Sequence, residues 1–272
     1  MSDRVTIAIE DGIADVRLSR PEKMNALDPA MFVGLSEAGK QLMDDPSLRA
    51  VVLSGEGKAF CAGLDFMSFQ GMASRPEGEK AEKAPGLLET AGTPHTSFAQ
   101  YAAWVWNQVP VPVIGAIHGV AFGGGIQIAL ATDIRFATPD TRFSVMEIKW
   151  GLIPDMTGTQ TLRHLVPLDV AKELTFTGRV LSGTEAAELG LVTHVCDDPR
   201  KEAFELAREI AGRSPSAIRA GKRLLDTNWN VSREEGLRLE AEIQRSLIGR
   251  PNQVEAVKAN VEKRAPQFHD PE

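Results

Sequence analysis

A chain of 272 residues has room for one large core with an appendage, and with 43% hydrophobic and 25% charged residues it is not disordered along its length. A net charge of -7 gives no general pull on a nucleic-acid backbone, and no apolar run is long enough to span a bilayer, so neither nucleic acid nor membrane is expected as a partner. Cys61 and Cys196 match no metal or redox spacing, and the start MSDRVTIAIEDG and end QFHDPE read as no address, so a reduced, cytoplasmic setting is expected.

Val5 to Ile9 and Ile13 to Leu18 alternate apolar and polar residues about Asp11-Gly12, which predicts a hairpin. Asp28 and Pro29 supply an N-cap and a first-turn proline to a helix with Phe32, Leu35, Ala38 and Leu42 on one face, ending near Met43. Ala50 to Ser54 reads as the next strand. Residues 68 to 96 mix Pro, Gly, Lys and Glu without a period, as a disordered connection or a lid over a ligand site would. A helix near Phe98 to Asn107 follows, then a buried strand Val111 to Ile117, a glycine-rich turn, a helix from about Gly124 to Ala131, and a strand Ile134 to Ala137.

From about residue 200 the pattern is helical. Phe204, Ala207 and Ile210 mark one helix and Ser214-Pro215 opens another. Ser232 with Glu235 reads as a capping box ahead of Leu239, Ile243 and Leu247, and Val254, Val257 and Val261 stripe the last helix. The basic stretch with Arg219, Lys222 and Arg223 reads as the wet face of a helix. The apolar stripes need cover, either from the core or from a neighbouring subunit.

Two segments share one plan, a β-branched strand followed by a turn of small residues and a helix start: VVLSGEGKAFCAGLDF at 51 to 66 and VPVIGAIHGVAFGGGIQIALATDI at 111 to 134. The first N–H groups of a helix lack intrahelical partners, so they suit a ligand oxygen that gains negative charge, and Gly123, Gly124 and Gly125 carry no Cβ to hold a ligand away. The alternative is a tight turn packed on its neighbour. Neither window completes a dinucleotide fingerprint, and there is no phosphate loop and no nucleophile elbow. None of the five histidines needs a catalytic role.

The ordered set RPEKMNAL (20 to 27), AFCAGLDF (59 to 66), HGVAFGGG (118 to 125) and FSVMEIKWGLIPD (143 to 155), continued through GTQTLRHLV and TFTGRVLSGTEAAELGLV, resembles the enoyl-CoA hydratase/isomerase family, also called the crotonase superfamily, over nearly the whole chain. The resemblance implies an α/β fold, a spiral of ββα units over residues 1–200, with a helical trimerisation region at 201–272, assembled as a homotrimer or a dimer of trimers. It implies an acyl-CoA substrate of fatty-acid or related catabolism, no metal, and no cofactor beyond the coenzyme A of the substrate.

By that resemblance the backbone N–H groups of Leu64 and Gly124 form an oxyanion hole for a thioester enolate. Lys23, Met24, Ala26, Ala62, Asp65, Phe66 and Gly123 fall at coenzyme A or substrate positions, and Gln127, Glu147 and Asp155 at acid/base positions. Without it, Lys23 reads as a loop lysine, Glu147 as an exposed glutamate, and Asp155 as a helix cap before TGTQTL. Gln127 stands where two-carboxylate hydratases have glutamate, and an amide exchanges no proton at neutral pH. Glu147 and Asp155 match the dienoyl-CoA isomerase branch if a bend aims both at one pocket. Double-bond isomerisation is therefore expected. The rivals are 2-enoyl-CoA hydration with Glu147 as main acid/base and Gln127 holding the water, thioester hydrolysis or decarboxylation, and a non-catalytic acyl-CoA-binding or assembly protein.

Overall fold

The computed structural model describes residues 3–65, 88–90 and 95–271. Phe66 and nearly all of the 68 to 96 segment lie outside the described residues.

The chain opens on the hairpin β1 (Val5–Glu10) and β2 (Ile13–Leu18), whose turn residues Asp11 and Gly12 both take positive φ, as the right-handed twist of a tight hairpin demands. Helix α1 (Pro29–Met43) starts where Asp28 Oδ1 accepts the Met31 N–H at 2.8 Å. Then come β3 (Ala50–Gly55), α2 (Phe98–Gln108), β4 (Val113–Ile117), β5 (Val120–Phe122), α3 (Gly124–Leu130), β6 (Ile134–Ala137) and β7 (Arg142–Ser144). A 3-10 turn at Glu147–Trp150 leads to α4 (Gly158–Leu165), α5 (Leu168–Thr177), α6 (Gly183–Glu188) and β8 (His194–Val195). Four helices finish the chain: α7 (Pro199–Ala211), α8 (Pro215–Asn228), α9 (Arg233–Leu247) and α10 (Pro251–Glu262).

The six-stranded sheet has the order β1-β2-β3-β4-β6-β8, parallel except for the opening hairpin. After each central strand the chain adds a short extended piece to a second ladder, seen as the pairs Leu27 with Leu64, Cys61 with Ala121, Ala121 with Phe143, and Phe143 with Leu181. This repeated step from long sheet to short ladder makes the spiral.

Both faces of the central strands β3 and β4 are buried, so these two are nearly continuous apolar runs. Val16, Leu53 and Val113 belong to the main core with α1, α2 and the short ladder, while Ala50, Val52, Ile114 and Ala116 face Ala203 and Ala207 of α7. The division at residue 200 thus falls in the first turn of a helix that covers the sheet.

Two readings of the helical tail are corrected. Arg219 and Lys222 are not on a wet face: Lys222 Nζ donates to Asp133 Oδ2 at 2.7 Å and to the Val111 carbonyl at 3.1 Å, and Arg219 Nη2 donates to the carbonyls of Asp45 and Leu48 at 2.9 and 3.1 Å. Their three-residue spacing puts both on the helix face turned to the core, where long apolar stems can be buried behind paired charges. Only Arg223 remains exposed. The expected capping box is half formed: Ser232 Oγ accepts the Glu235 N–H at 3.3 Å without the return bond, whereas complete boxes occur at Ser97 with Gln100 and at Ser182 with Glu185.

Candidate active site

The turn that follows β3 and the turn that opens α3 meet beside the short ladder. They are laced by Cys61 N–H to the Val120 carbonyl at 3.0 Å and Phe122 N–H to the Cys61 carbonyl at 3.1 Å. The approach is close enough that a Cβ on Gly125 would lie 2.3 Å from the Cys61 oxygen, and one on Gly63, at φ 86°, would lie 2.5 Å from the Phe122 oxygen. Leu27 donates to the Gly63 carbonyl at 2.8 Å and accepts from Asp65 N–H at 3.0 Å, so strand alternation turns the Leu64 N–H away from Leu27. Gly124 opens α3, and its N–H precedes the first intrahelical acceptor. Among the described residues neither N–H has a backbone acceptor, and Leu64 and Gly124 line the same cavity of about 160 Å³.

Glu147 and Asp155 line that cavity too, with Ala62, Gly123, Phe32, Trp150 and Met156. The bend between the two carboxylates is supplied by the 3-10 turn, which ends at Gly151 in the left-handed region at φ 71°. Asp155 is not a helix cap, because α4 is preceded by Thr157 and no side chain caps it. Glu147 is buried, not exposed, and a Cβ on Gly123 would stand 3.5 Å from its Oε1, which places this carboxyl beside the Gly124 turn. Burial pushes the Glu147 carboxyl above its ordinary range; its own N–H and the Gln127 amide pull it back, and Asp155 adds to the rise. Burial raises Asp155 likewise.

Gln127 is not on the cavity wall. It is 1% exposed, its Nε2 donates to Glu147 Oε1 at 2.6 Å, and its Oε1 accepts the N–H groups of Met156 and Gly158, each at 2.8 Å. Both ends of the amide are thus engaged inside the protein, behind the wall where the resemblance placed it to hold a water. Asp65 is also drawn away from the cavity. Arg20 Nη1 reaches its Oδ2 at 2.6 Å, because a carboxylate with 10% of its side chain exposed needs a cation beside it. Lys23, Met24 and Ala26 stand outside the cavity wall, next to Ala62, whose N–H donates to the Met24 carbonyl at 2.9 Å.

Sequence reasoning passed over Asn25 and the wall residues Phe32, Trp150 and Met156. Asn25, fully buried at φ 55°, donates through Nδ2 to the carbonyls of Glu56, Ala59 and Phe60 and so ties the RPEKMNAL loop to the first turn. Its tolerance of the left-handed region is the signal that marked it. The wall residues carried none, since apolar side chains at these positions look like core.

The sequence pattern of the enoyl-CoA hydratase/isomerase family matches residues 8–271. Enoyl-CoA hydratase domain-containing protein 2, mitochondrial, of Mus musculus is 34% identical over 264 residues, covering 94% of this chain and 84% of that relative. The Delta(3,5)-Delta(2,4)-dienoyl-CoA isomerase, mitochondrial, of Mus musculus is 34% identical over 256 residues, covering 93% of this chain and 77% of the relative. The crystal structure of enoyl-CoA hydratase from Bacillus anthracis superposes with a TM-score of 0.87 at 31% identity, covering 98% of this chain and 100% of that one.

Proposed function

Because the chain belongs to the enoyl-CoA hydratase/isomerase family, we propose that it moves a double bond along an unsaturated acyl-CoA thioester, through an enolate whose oxygen is held by the N–H groups of Leu64 and Gly124. The observation that carries this reading is the cavity wall, which presents two carboxyls, Glu147 and Asp155, while the third aligned position, Gln127, is committed behind it. Double-bond migration needs a base at the carbon next to the thioester and an acid at a carbon farther along the chain. Glu147, beside Gly123, serves the near carbon, and Asp155 serves the distal one. One proton leaves the near carbon to Glu147 and one arrives from Asp155; the proton then returns across the pair. Raised carboxyl pKa values suit this work, since one member must hold a proton while the other removes one. Each backbone donor is worth about 2.7 to 4 kcal/mol of transition-state stabilisation.

The coenzyme A portion is assigned to the outer wall of Lys23, Met24, Ala26 and Ala62, where Met24 is exposed beside the cavity-lining Ala62. The helices after α7 are assigned to a homotrimer or dimer of trimers, supported by their exposed apolar residues. Hydration of a 2-enoyl thioester with Glu147 alone is the second reading, favoured by the hydratase names among the relatives.

The absorbance of the conjugated thioester separates the two. With a 3-enoyl-CoA, a 3,5-dienoyl-CoA and crotonyl-CoA offered in turn, double-bond migration is expected to outrun hydration. Asp155→Asn is expected to lower kcat at least about 100-fold with KM little changed. Faster hydration of crotonyl-CoA, with indifference to Asp155→Asn, rejects isomerisation.

A further inference from the structure

Gln127 makes three hydrogen bonds from a fully buried position on the first turn of α3, and their chemistry fixes which way the amide points. Two backbone N–H groups, those of Met156 and Gly158, converge on one end, and two donors cannot face an NH2 group. The oxygen therefore lies there and the NH2 faces Glu147 Oε1 at 2.6 Å. The other carboxyl oxygen, Glu147 Oε2, is buried and has no hydrogen-bond partner among the described residues. Between the two converging N–H groups stands Thr157 at φ 72°, a conformation that a β-branched residue rarely adopts and that persists only where surrounding bonds hold it. Met156 follows Asp155 directly, so the Gln127 oxygen grips the backbone at the second carboxylate while its nitrogen grips the first.

We propose that Gln127 is a positioning residue: its NH2 holds Glu147 Oε1 and so fixes how that carboxyl stands at the cavity, while its carbonyl oxygen fixes the segment that presents Asp155. The proposal rests on the acid and base roles assigned above to Glu147 and Asp155. It gives a use to a neutral amide at this position. The amide donates to Glu147 and so opposes the rise that burial and Asp155 impose; Asp155 is the titratable group that acts on Glu147, and it does so when ionised. A carboxylate here would keep the two backbone donors on one oxygen and turn its other oxygen on Glu147 Oε1, so the two acids would share a proton.

Gln127→Glu tests this, because it preserves the acceptor for Met156 and Gly158. The Glu147 carboxyl is followed by 13C NMR titration, assigned by its loss in Glu147→Gln, beside the pH profile of kcat. Gln127→Glu is expected to move the Glu147 titration and the acid limb of kcat upward by at least about one pH unit, to cut kcat at least about tenfold at neutral pH, and to leave KM within about threefold. Because the new carboxylate raises its neighbour's pKa by its own charge, Gln127→Met, which removes the donor and adds no charge, is titrated beside it, and a residue that only held the loop would leave the Gln127→Met titration where it was. An unmoved titration, or a moved titration with an unaltered kcat profile, overturns the proposal. Gln127→Met, of similar length, is expected to move the titration upward by a smaller amount; no movement there overturns the proposal whether or not Gln127→Glu folds. Failure of the isomerase reading shows separately, as wild-type protein that shifts no double bond, and the carboxyl titration is read whichever acyl-CoA turns over.

Discussion

Glu147 is 9% exposed, and one of its two oxygens has no partner among the described residues, so ionisation there works against folding. Its folded pKa is raised above the unfolded value by burial and by Asp155. A carboxyl raised in this direction contributes stability that is fully present below the unfolded pKa, about 4.3, and lost as pH rises through the folded value. Replacing it with a neutral amide of the same shape removes that loss. Glu147→Gln is expected to abolish turnover while raising the thermal midpoint at pH 8, with the gap from wild type closing as pH falls toward about 4. Thermal melts at the two pH values check it; a variant less stable at pH 8 than at pH 4, relative to wild type, contradicts the assignment of strain to this carboxyl. The same residue shows where sequence reading stops. Its approach to Gln127 crosses 20 positions, and the second set of bonds that fixes the amide crosses 29 and 31, so no local pattern announces them.

At the scale of elements, the parts read correctly from sequence carry their instructions locally: Asp11-Gly12 with both φ positive, Asp28 ahead of Pro29, and the apolar strands around Val51 and Val113. The misread element is α8. Its cations look solvated in sequence because the carbonyls that receive them come from the link after α1 and from Val111, ahead of β4, more than 100 residues away along the chain. Lys222 has 7% of its side chain exposed and shares Asp133 Oδ2 with the Val113 N–H, so it joins α8 to the entry ends of the interior strands β4 and β6. Removing one partner of a buried pair leaves the other uncompensated, at a cost of about 3 to 5 kcal/mol. Lys222→Met is expected to lose most of this, and to lose it unevenly: amide hydrogen exchange should quicken in α8 and α9, which packs on it, while β2, β3 and β4 keep their protection. Equal loss of protection across sheet and tail would show that α8 is not a separately docked element.

For the whole molecule, the decisive point is that the sheet is already complete. One face is covered by α1, α2 and the short ladder and the other by α7, so the faces of the central strands do not wait on α9 or α10 for cover. The helices α8 to α10 nevertheless carry apolar side chains beyond their own packing. Trp229 is 64% exposed and Val261 78%, and Leu225, Val254 and Val257 are exposed as well. Fully burying one such side chain is worth about 1.5 to 3 kcal/mol, so a face with several of them is a strong drive to association. Copies of one chain satisfy it with a closed symmetric ring, in which each subunit offers the same surfaces to its neighbours. Wild-type protein is therefore expected to sediment as three or six copies. The pair Val257→Lys and Val261→Lys, on the exposed stripe of α10, is expected to release smaller species whose far-ultraviolet circular dichroism is unchanged, because neither residue belongs to the core. Wild-type protein that sediments as a single chain at micromolar concentration contradicts the assembly, and a double variant that loses its helical signal would show that the stripe serves the protomer's own fold instead.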